Sequence, residues 1–276
     1  MSSFLSTPYT QFPYLLHSYV PLLFPKARPR GNLLSLILYM YMSIRKVPLV
    51  QGEYYHVYNR GNDKRKIFLD EEDMDRFVKL LYLCNSTKRV NFRDDIVNRR
   101  IDTWDYDREE TIVSIGAWVL MPNHFHIYIT LPRGKASGKE PATSEMNGVT
   151  AFMLKLCTSY TMYFNKKYNR TGALFEGKFK SVHIPEEIQA KYLFSYIHLN
   201  PIKLIQSDWK EVGIKNTTST LEHLKKYRWS SYSDHKKSKR KELAILSMDD
   251  FPKYFPKIVN FDKEIMGWIN QYRAHK

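Results

Sequence analysis

The chain has 276 residues, with 43 Lys+Arg against 28 Asp+Glu and a formal net charge of +15. That length suits one large domain or two small ones, and a core of that size needs no disulfide or metal staple. Two cysteines, Cys84 and Cys157, exclude a disulfide scaffold and a four-cysteine zinc site and fit a reducing cytoplasm, while the charge points to a polyanion, most simply nucleic acid.

In chain order, the first acidic residue is Glu53, and before it stand Lys26, Arg28, Arg30, Arg45 and Lys46. No apolar run reaches the ~18 residues of a membrane span, and no small-residue cleavage site follows the early apolar stretches. Residues 1–45 are expected to be an N-terminal extension outside the fold, with Met42 as the functional start. An amphipathic leader at a membrane surface is the competing reading.

Residues 54–60 predict a strand, rich in aromatic and β-branched side chains, closed by the turn residues Gly61, Asn62 and Asp63. Asp70 predicts a helix cap, followed by Met74, Phe77, Val78, Leu81 and Tyr82 at helical spacing. Residues 88–110 mix both charge signs and read as a loop or polar insertion. Strands over 111–120 and 124–131, broken at Pro122, predict a hairpin. Residues 133–148 read as a mobile loop. A helix over 149–168, a strand over 177–184 and a helix over 185–199, stopped by Pro201, follow. This order is the split βαβ pattern. It predicts an α+β, ferredoxin- or RRM-like fold: an antiparallel sheet with helices on one face, then a trailing helix and a basic tail.

Cations and aromatics interleave over 152–180, which suits a single strand whose bases stack while phosphates meet Lys or Arg. A solvated basic helix face is the plainer alternative. The run Lys236 to Lys241 reads as a solvated linker.

The sharpest local feature is Asn123-His124-Phe125-His126. On a strand His124, His126, Tyr128 and Thr130 share one face, and Phe125, Ile127, Ile129 and Leu131 face a core. The two imidazoles stand about 7 Å apart by strand rise, so the pair suits either a metal ion or a polar sheet surface. On the helix before Pro201, Tyr196 and Asn200 lie one turn apart on one face. An amide oxygen suits Mg²⁺ or Mn²⁺, and imidazole suits Mn²⁺. A packed tyrosine and a capping asparagine would look the same. Tyr192, one turn earlier, is a rival nucleophile among 20 tyrosines.

Four segments in order resemble the REP-associated tyrosine transposases, which are single-tyrosine HUH transposases of the insertion sequence 200 type. They are Tyr55-His56-Val57-Tyr58-Asn59-Arg60-Gly61-Asn62, Met121-Pro122-Asn123-His124-Phe125-His126, Gly177-Lys178-Phe179-Lys180-Ser181 and Tyr196-Ile197-His198-Leu199-Asn200-Pro201. The later Tyr227-Arg228-Trp229-Ser230-Ser231-Tyr232 is similar too. The resemblance covers about residues 46–235 and implies an HUH catalytic domain over 46–205; composition marks 206–276 as a basic C-terminal tail, with a small helical appendage as one reading. His124 and His126 match the HUH pair, and Tyr196 matches the nucleophile. Asn200 stands where relatives often carry a glutamine that completes the metal site, and it is one methylene shorter.

The resemblance further implies metal-assisted transesterification on single-stranded or hairpin-flanked DNA, through a 5′-phosphotyrosine, with Mg²⁺ or Mn²⁺ as cofactor. It also implies a cytoplasmic, nucleoid-associated protein with no membrane partner, and chains that can pair as a homodimer. Arg60, Lys178 and Lys180 are the expected phosphate contacts, though each also fits a plain surface cation. His56 and His198 are candidate bases by residue type only, and His198 should point away from Tyr196. The alternative is a non-catalytic module that binds single-stranded nucleic acid on the same kind of sheet. The start site is testable: intact mass of the natively expressed protein should correspond to a chain beginning at Met42, and a chain beginning at Met1 would refute it.

Overall fold

The computed structural model describes residues 49–132, 148–236, 239–254 and 261–274, all within one unit, Val47–Lys276. The expected extension 1–45, nearly all of the loop 133–148 and the centre of the 236–241 run lie outside the described residues. Four strands, β1 (Tyr54–Arg60), β2 (Ser114–Met121), β3 (His124–Thr130) and β4 (Lys180–His183), form one antiparallel sheet in the order β2-β3-β1-β4. Helix α1 (Glu71–Leu83) joins β1 to β2, and α2 (Gly148–Lys167) joins β3 to β4. This is the split βαβ topology and an α+β fold.

Two strand ends differ from the pattern in the sequence, each for a local reason. The β2 ladder starts at Ser114 rather than 111, because Asn85 Oδ1 accepts from the backbone N–H groups of Ile112 and Val113, at 3.0 Å each. The β4 ladder starts at Lys180 rather than 177. Gly177 has a φ of 69°, and the Glu176 N–H already donates to the Arg60 carbonyl at 2.9 Å.

The sheet is covered on both faces. Val57, Phe125, Ile127 and Ile129 point to one side, where Phe77 and Leu81 of α1 and Phe152, Leu156 and Tyr160 of α2 pack against them. On the other side Ala117, Val119, Met121 and Tyr128 meet α3 (Glu187–Leu199), and α6 (Phe261–Ala274) packs on α3, with Leu193, Phe194, Ile197, Phe261 and Ile265 buried. The expectation of helices on one face therefore holds for α1 and α2, while the trailing helix α3 closes the opposite face. Alternation lets β2 serve both cores, and a bulge between Ile115 and Ala117 sets Ile115 on the same face as Trp118 and Leu120. The bulge falls at Gly116, where a Cβ would lie 2.8 Å from the Phe251 ring.

The segment after residue 205 is more than a tail. Helices α4 (Trp209–Val212) and α5 (Thr217–Lys226) lead into residues 229–231, which run along the outer edge of β2. Leu120 N–H donates to the Trp229 carbonyl, and Ser231 N–H donates to the Trp118 carbonyl, both at 2.9 Å. Trp209, Tyr232 and Phe251 are buried. The basic run 236–241 is likewise no solvated linker in its described part. Arg240 pairs with buried Asp234 at 2.6 Å and donates to the Arg228 and Ser230 carbonyls, while Lys236 pairs with Asp262 at 2.7 Å.

Asp70 caps α1 as the sequence predicts, its Oδ1 accepting from Asp73 N–H at 2.9 Å. Asp73 itself is fully buried and ties α1 to the end of α2. Its carboxylate accepts from Leu69 N–H, the Tyr163 and Tyr168 hydroxyls and Lys167 Nζ, at 2.8 to 3.0 Å. Removing it takes the acceptor from Leu69 N–H and the Tyr163 hydroxyl, while Lys167 and the Tyr168 hydroxyl keep Asp70, so Asp73→Ala should cost about 2 kcal/mol in urea unfolding. A loss below about 0.5 kcal/mol, the usual range for a surface substitution, would contradict this account.

Candidate functional site

The alternation of β3 decides where its histidines go. Phe125 and Ile127 enter the α1–α2 core, so His124 and His126 face α3. Antiparallel pairing sets Arg60 opposite His124, Tyr58 opposite His126 and His56 opposite Tyr128. From the other side α3 presents Tyr196, and Asn200 follows at its C-terminal cap. The ring centroids of His126 and Tyr196 lie 5.5 Å apart, nearly perpendicular, and those of His124 and His126 lie 5.0 Å apart. The four residues expected at a metal–tyrosine site thus occupy one interface between sheet and helix. Tyr192 stacks on Tyr196 at 6.3 Å, one ring further out.

Hydrogen bonds orient the imidazoles. Asn123 Nδ2 donates to the Lys64 carbonyl, which leaves Asn123 Oδ1 to accept from His124 Nδ1 at 2.6 Å. His124 Nε2 then carries a lone pair. His126 Nδ1 lies 2.8 Å from His56 Nε2, while His126 Nε2 is buried with no hydrogen-bond partner. Asn200 Nδ2 is also buried without one, in a residue only 3% exposed. The unanswered His126 nitrogen in a buried site calls for an explanation, and a bound group is one; Asn200 Nδ2 is a donor and asks for an acceptor, with the Tyr196 phenol beside it.

Among the described residues, no group of three or more His, Cys, Asp or Glu is set to hold a metal ion. A divalent ion here would rest on two imidazoles and an amide, with water and substrate completing its shell. The donor types fit a borderline-to-hard divalent ion.

The electrostatics keep the imidazoles neutral. Burial holds His56 down to about 3, and holds His124 down to about 4 with help from Lys203, Lys210 and Arg60. His126 is pushed well below the usual histidine range, first by burial and then by its neighbours His56, His124 and Lys210. Burial raises the Tyr196 phenol, and the adjacent Asn200 amide and the Lys203 charge oppose that rise. The tyrosine is therefore protonated at neutral pH. Lys210 Nζ sits 4.2 Å from the centre of the Tyr196 ring, a cation–π distance.

The expected phosphate contacts fare differently. Arg60 lies at the site rim, but its guanidinium forms a two-pronged bond to Glu176, with Nη2 to Oε1 at 3.0 Å. Lys180 is exposed on the edge strand β4 opposite Tyr58, and Lys178 is exposed just before it. His198 points away from Tyr196, as its place on the helix requires. It is buried, with Nδ1 donating to the Phe194 carbonyl and Nε2 2.9 Å from the Ser231 hydroxyl.

Two residues at the site, Lys203 and Lys210, go unmarked in the sequence, and His56, a candidate base there by residue type only, is also the partner of His126. His56 shares the polar face of β1 by the two-residue period, so its place was readable but its pairing with His126 was not. Lys203 and Lys210 arrive through the fold of residues 200–212, and no sequence pattern marks them.

No family model matches the chain, and no curated protein matches it. Among solved structures the chain is similar to a REP-associated tyrosine transposase bound to a REP hairpin. The identity is 16%, the match covers 70% of this chain and 84% of that one, and the TM-score is 0.38. No helix of the described residues is long and apolar enough to cross a membrane.

Neutral buried imidazoles have a consequence for stability. The unfolded chain protonates its histidines near pH 6.5, whereas His56, His124, His126, His198 and His235 resist protonation when folded. Below pH 6.5 the unfolded state binds more protons, so folding stability falls as pH falls. The slope approaches about 1.4 kcal/mol per pH unit for each such group. The urea midpoint should drop steadily from pH 6.5 to pH 5, and a constant or rising midpoint would overturn the assignment.

Proposed function

We propose that this chain cuts and rejoins single-stranded DNA at hairpin-flanked sites, as a transposase of the single-tyrosine HUH type. The observation that carries the reading is the meeting of Tyr196 with the His124–His126 pair across the sheet–helix interface. The motif resemblance points to the same residues. Neither a binding surface nor a packing core requires two neutral imidazoles with an unpartnered nitrogen against a tyrosine.

In this reading the Tyr196 oxygen attacks a backbone phosphorus and gives up its proton. The new tyrosyl–phosphorus bond forms as the bond from phosphorus to the 3′ oxygen breaks, and that oxygen takes a proton to become a 3′-hydroxyl. The 5′-phosphotyrosine conserves the phosphodiester bond energy, so attack by another 3′-hydroxyl rejoins the strand and restores the phenol without ATP. His124 and His126, with Asn200, would hold Mg²⁺ or Mn²⁺. When bound, such an ion polarises the phosphate and offsets charge that builds on its oxygens. Lys203 and Lys210 add positive charge beside the same phosphate position, in a site whose burial strengthens their effect. Lys178 and Lys180 would meet the backbone further out. Arg60 would serve there only by sharing its guanidinium with Glu176. Residence at the nucleoid and pairing of two chains belong to the same reading.

A labelled DNA hairpin with single-stranded flanks, incubated with Mg²⁺ or Mn²⁺, should yield a protein–DNA adduct that survives denaturation. Tyr196→Phe should take the adduct below detection, and its persistence would refute the nucleophile. His124→Ala should remove adduct formation while leaving hairpin binding within about threefold, since the imidazole lies among the reacting groups rather than on a DNA-contacting rim. Cleavage unchanged in EDTA would exclude the metal role. Hairpin binding by the wild-type chain with no adduct under any divalent ion would favour the non-catalytic module.

A further inference from the structure

The three imidazoles of the site stand in a row rather than around a centre. His56 on β1 and His126 on β3 are diagonal neighbours on one sheet face, and their ring centroids are 4.9 Å apart. The contact between them is specific: His56 Nε2 lies 2.8 Å from His126 Nδ1. Two ring nitrogens at that distance share one proton, so one nitrogen donates and the other accepts. Because its Nε2 is turned to His126 Nδ1, His56 cannot present that nitrogen to whatever His126 Nε2 faces. This geometry explains why three histidines so close together do not make a three-histidine metal centre.

Two arrangements of the shared proton are open, and they differ at the far nitrogen. If His56 donates, His126 must carry its own proton on Nε2, which is buried and has no acceptor. That leaves a buried N–H donor with its desolvation uncompensated. If His126 donates from Nδ1, Nε2 carries a lone pair instead. A buried lone pair is also unanswered, but it is the form that can bind a cation. The neighbouring His124 is already fixed in that form by Asn123, which accepts its Nδ1 proton. Tyr58 stacks on the outer face of His56 at 4.9 Å and holds its ring in place.

We propose that His56 is a positioning residue, accepting the Nδ1 proton of His126 so that both HUH imidazoles carry their lone pair on Nε2. The inference rests on the metal-assisted reading above and assigns it a second tier, in which Asn123 orients His124 and His56 orients His126. Histidine ligands generally have such a partner on the other nitrogen. An imidazole in that role is a neutral acceptor, so it orients the ligand without adding negative charge to a site that must receive a phosphate.

Two measurements separate this proposal from the function it rests on. The first uses metal-free wild-type protein and ¹⁵N-resolved imidazole spectra, which distinguish the tautomers directly. The expected result is His126 protonated at Nδ1; protonation at Nε2 overturns the proposal, whatever the protein does to DNA. The second titrates Mn²⁺ into metal-free protein by electron paramagnetic resonance. His56→Leu removes the acceptor and should weaken Mn²⁺ binding about 10–100-fold. His56→Gln keeps an acceptor oxygen and should stay within about threefold of wild type. Equal losses in both variants would make His56 a packing residue, and unchanged binding in His56→Leu would remove it from the site. Should the wild-type chain bind no Mn²⁺ and form no adduct, the metal-assisted function fails, and the tautomer spectrum still decides the role of His56.

Discussion

The two-residue period of β3 is the constraint on which the molecule turns. Phe125, Ile127 and Ile129 are each fully buried against α1 and α2. Their burial leaves His124, His126 and Tyr128 no choice of side. A slip of one residue would bury imidazoles in an apolar core and turn three large apolar side chains toward α3, so the register is set by the hydrophobic effect rather than by the polar groups themselves. The same register then carries β1 along, because Tyr55 and Val57 share the inner face and place His56 and Tyr58 beside the histidine pair. Chemistry on the outer face is a by-product of packing on the inner one.

Closing the outer face changes what those polar groups experience. An open sheet would leave the imidazoles hydrated and near their ordinary protonation range. With α3 and residues 200–212 laid over them, water is displaced and two lysines are brought near, so the cationic imidazole is disfavoured twice over. The arrangement also half-buries Tyr196, while Asn200 and Lys203 counter the effect of that burial on its phenol. A neutral, partly dry cluster with positive charge at its margin suits an anionic substrate better than a hydrated one would.

Much of this could be read from the residues. The strand over 54–60, the cap at Asp70, the histidine-bearing strand and the tyrosine helix all follow from period, capping and proline placement, which are local. The features that escaped such reading are long-range. Asn85 trims β2 by bonding the backbone of Ile112 and Val113, and nothing near residue 111 signals it. Glu176 pairs with Arg60 only because β1 and the start of β4 are adjacent. Arg240 lies in a basic run that composition alone assigns to solvent, yet its guanidinium organises the chain around buried Asp234. The site shows the same division: His124, His126, Tyr196 and Asn200 come from motifs, whereas Lys210 depends on how a helix of one turn packs against the tyrosine.

The strip formed by residues 229–231 along β2 bears on how the molecule is made. Until that segment arrives, β2 is an outer strand with free backbone groups beside the apolar side chains of Val119 and Leu120, a template for pairing with another chain. All the residues of the histidine–tyrosine cluster precede residue 211, so a ribosome makes the cluster before the segment that covers the edge. A chain ended before residue 229 would therefore hold the histidine–tyrosine cluster beside an open strand edge. Residues 229–231 engage only the later half of that edge; nearer its start, His235 Nε2 donates to the Gly116 carbonyl and Ser247 N–H to the Ile115 carbonyl, so the strip and the segment after it seal β2 together.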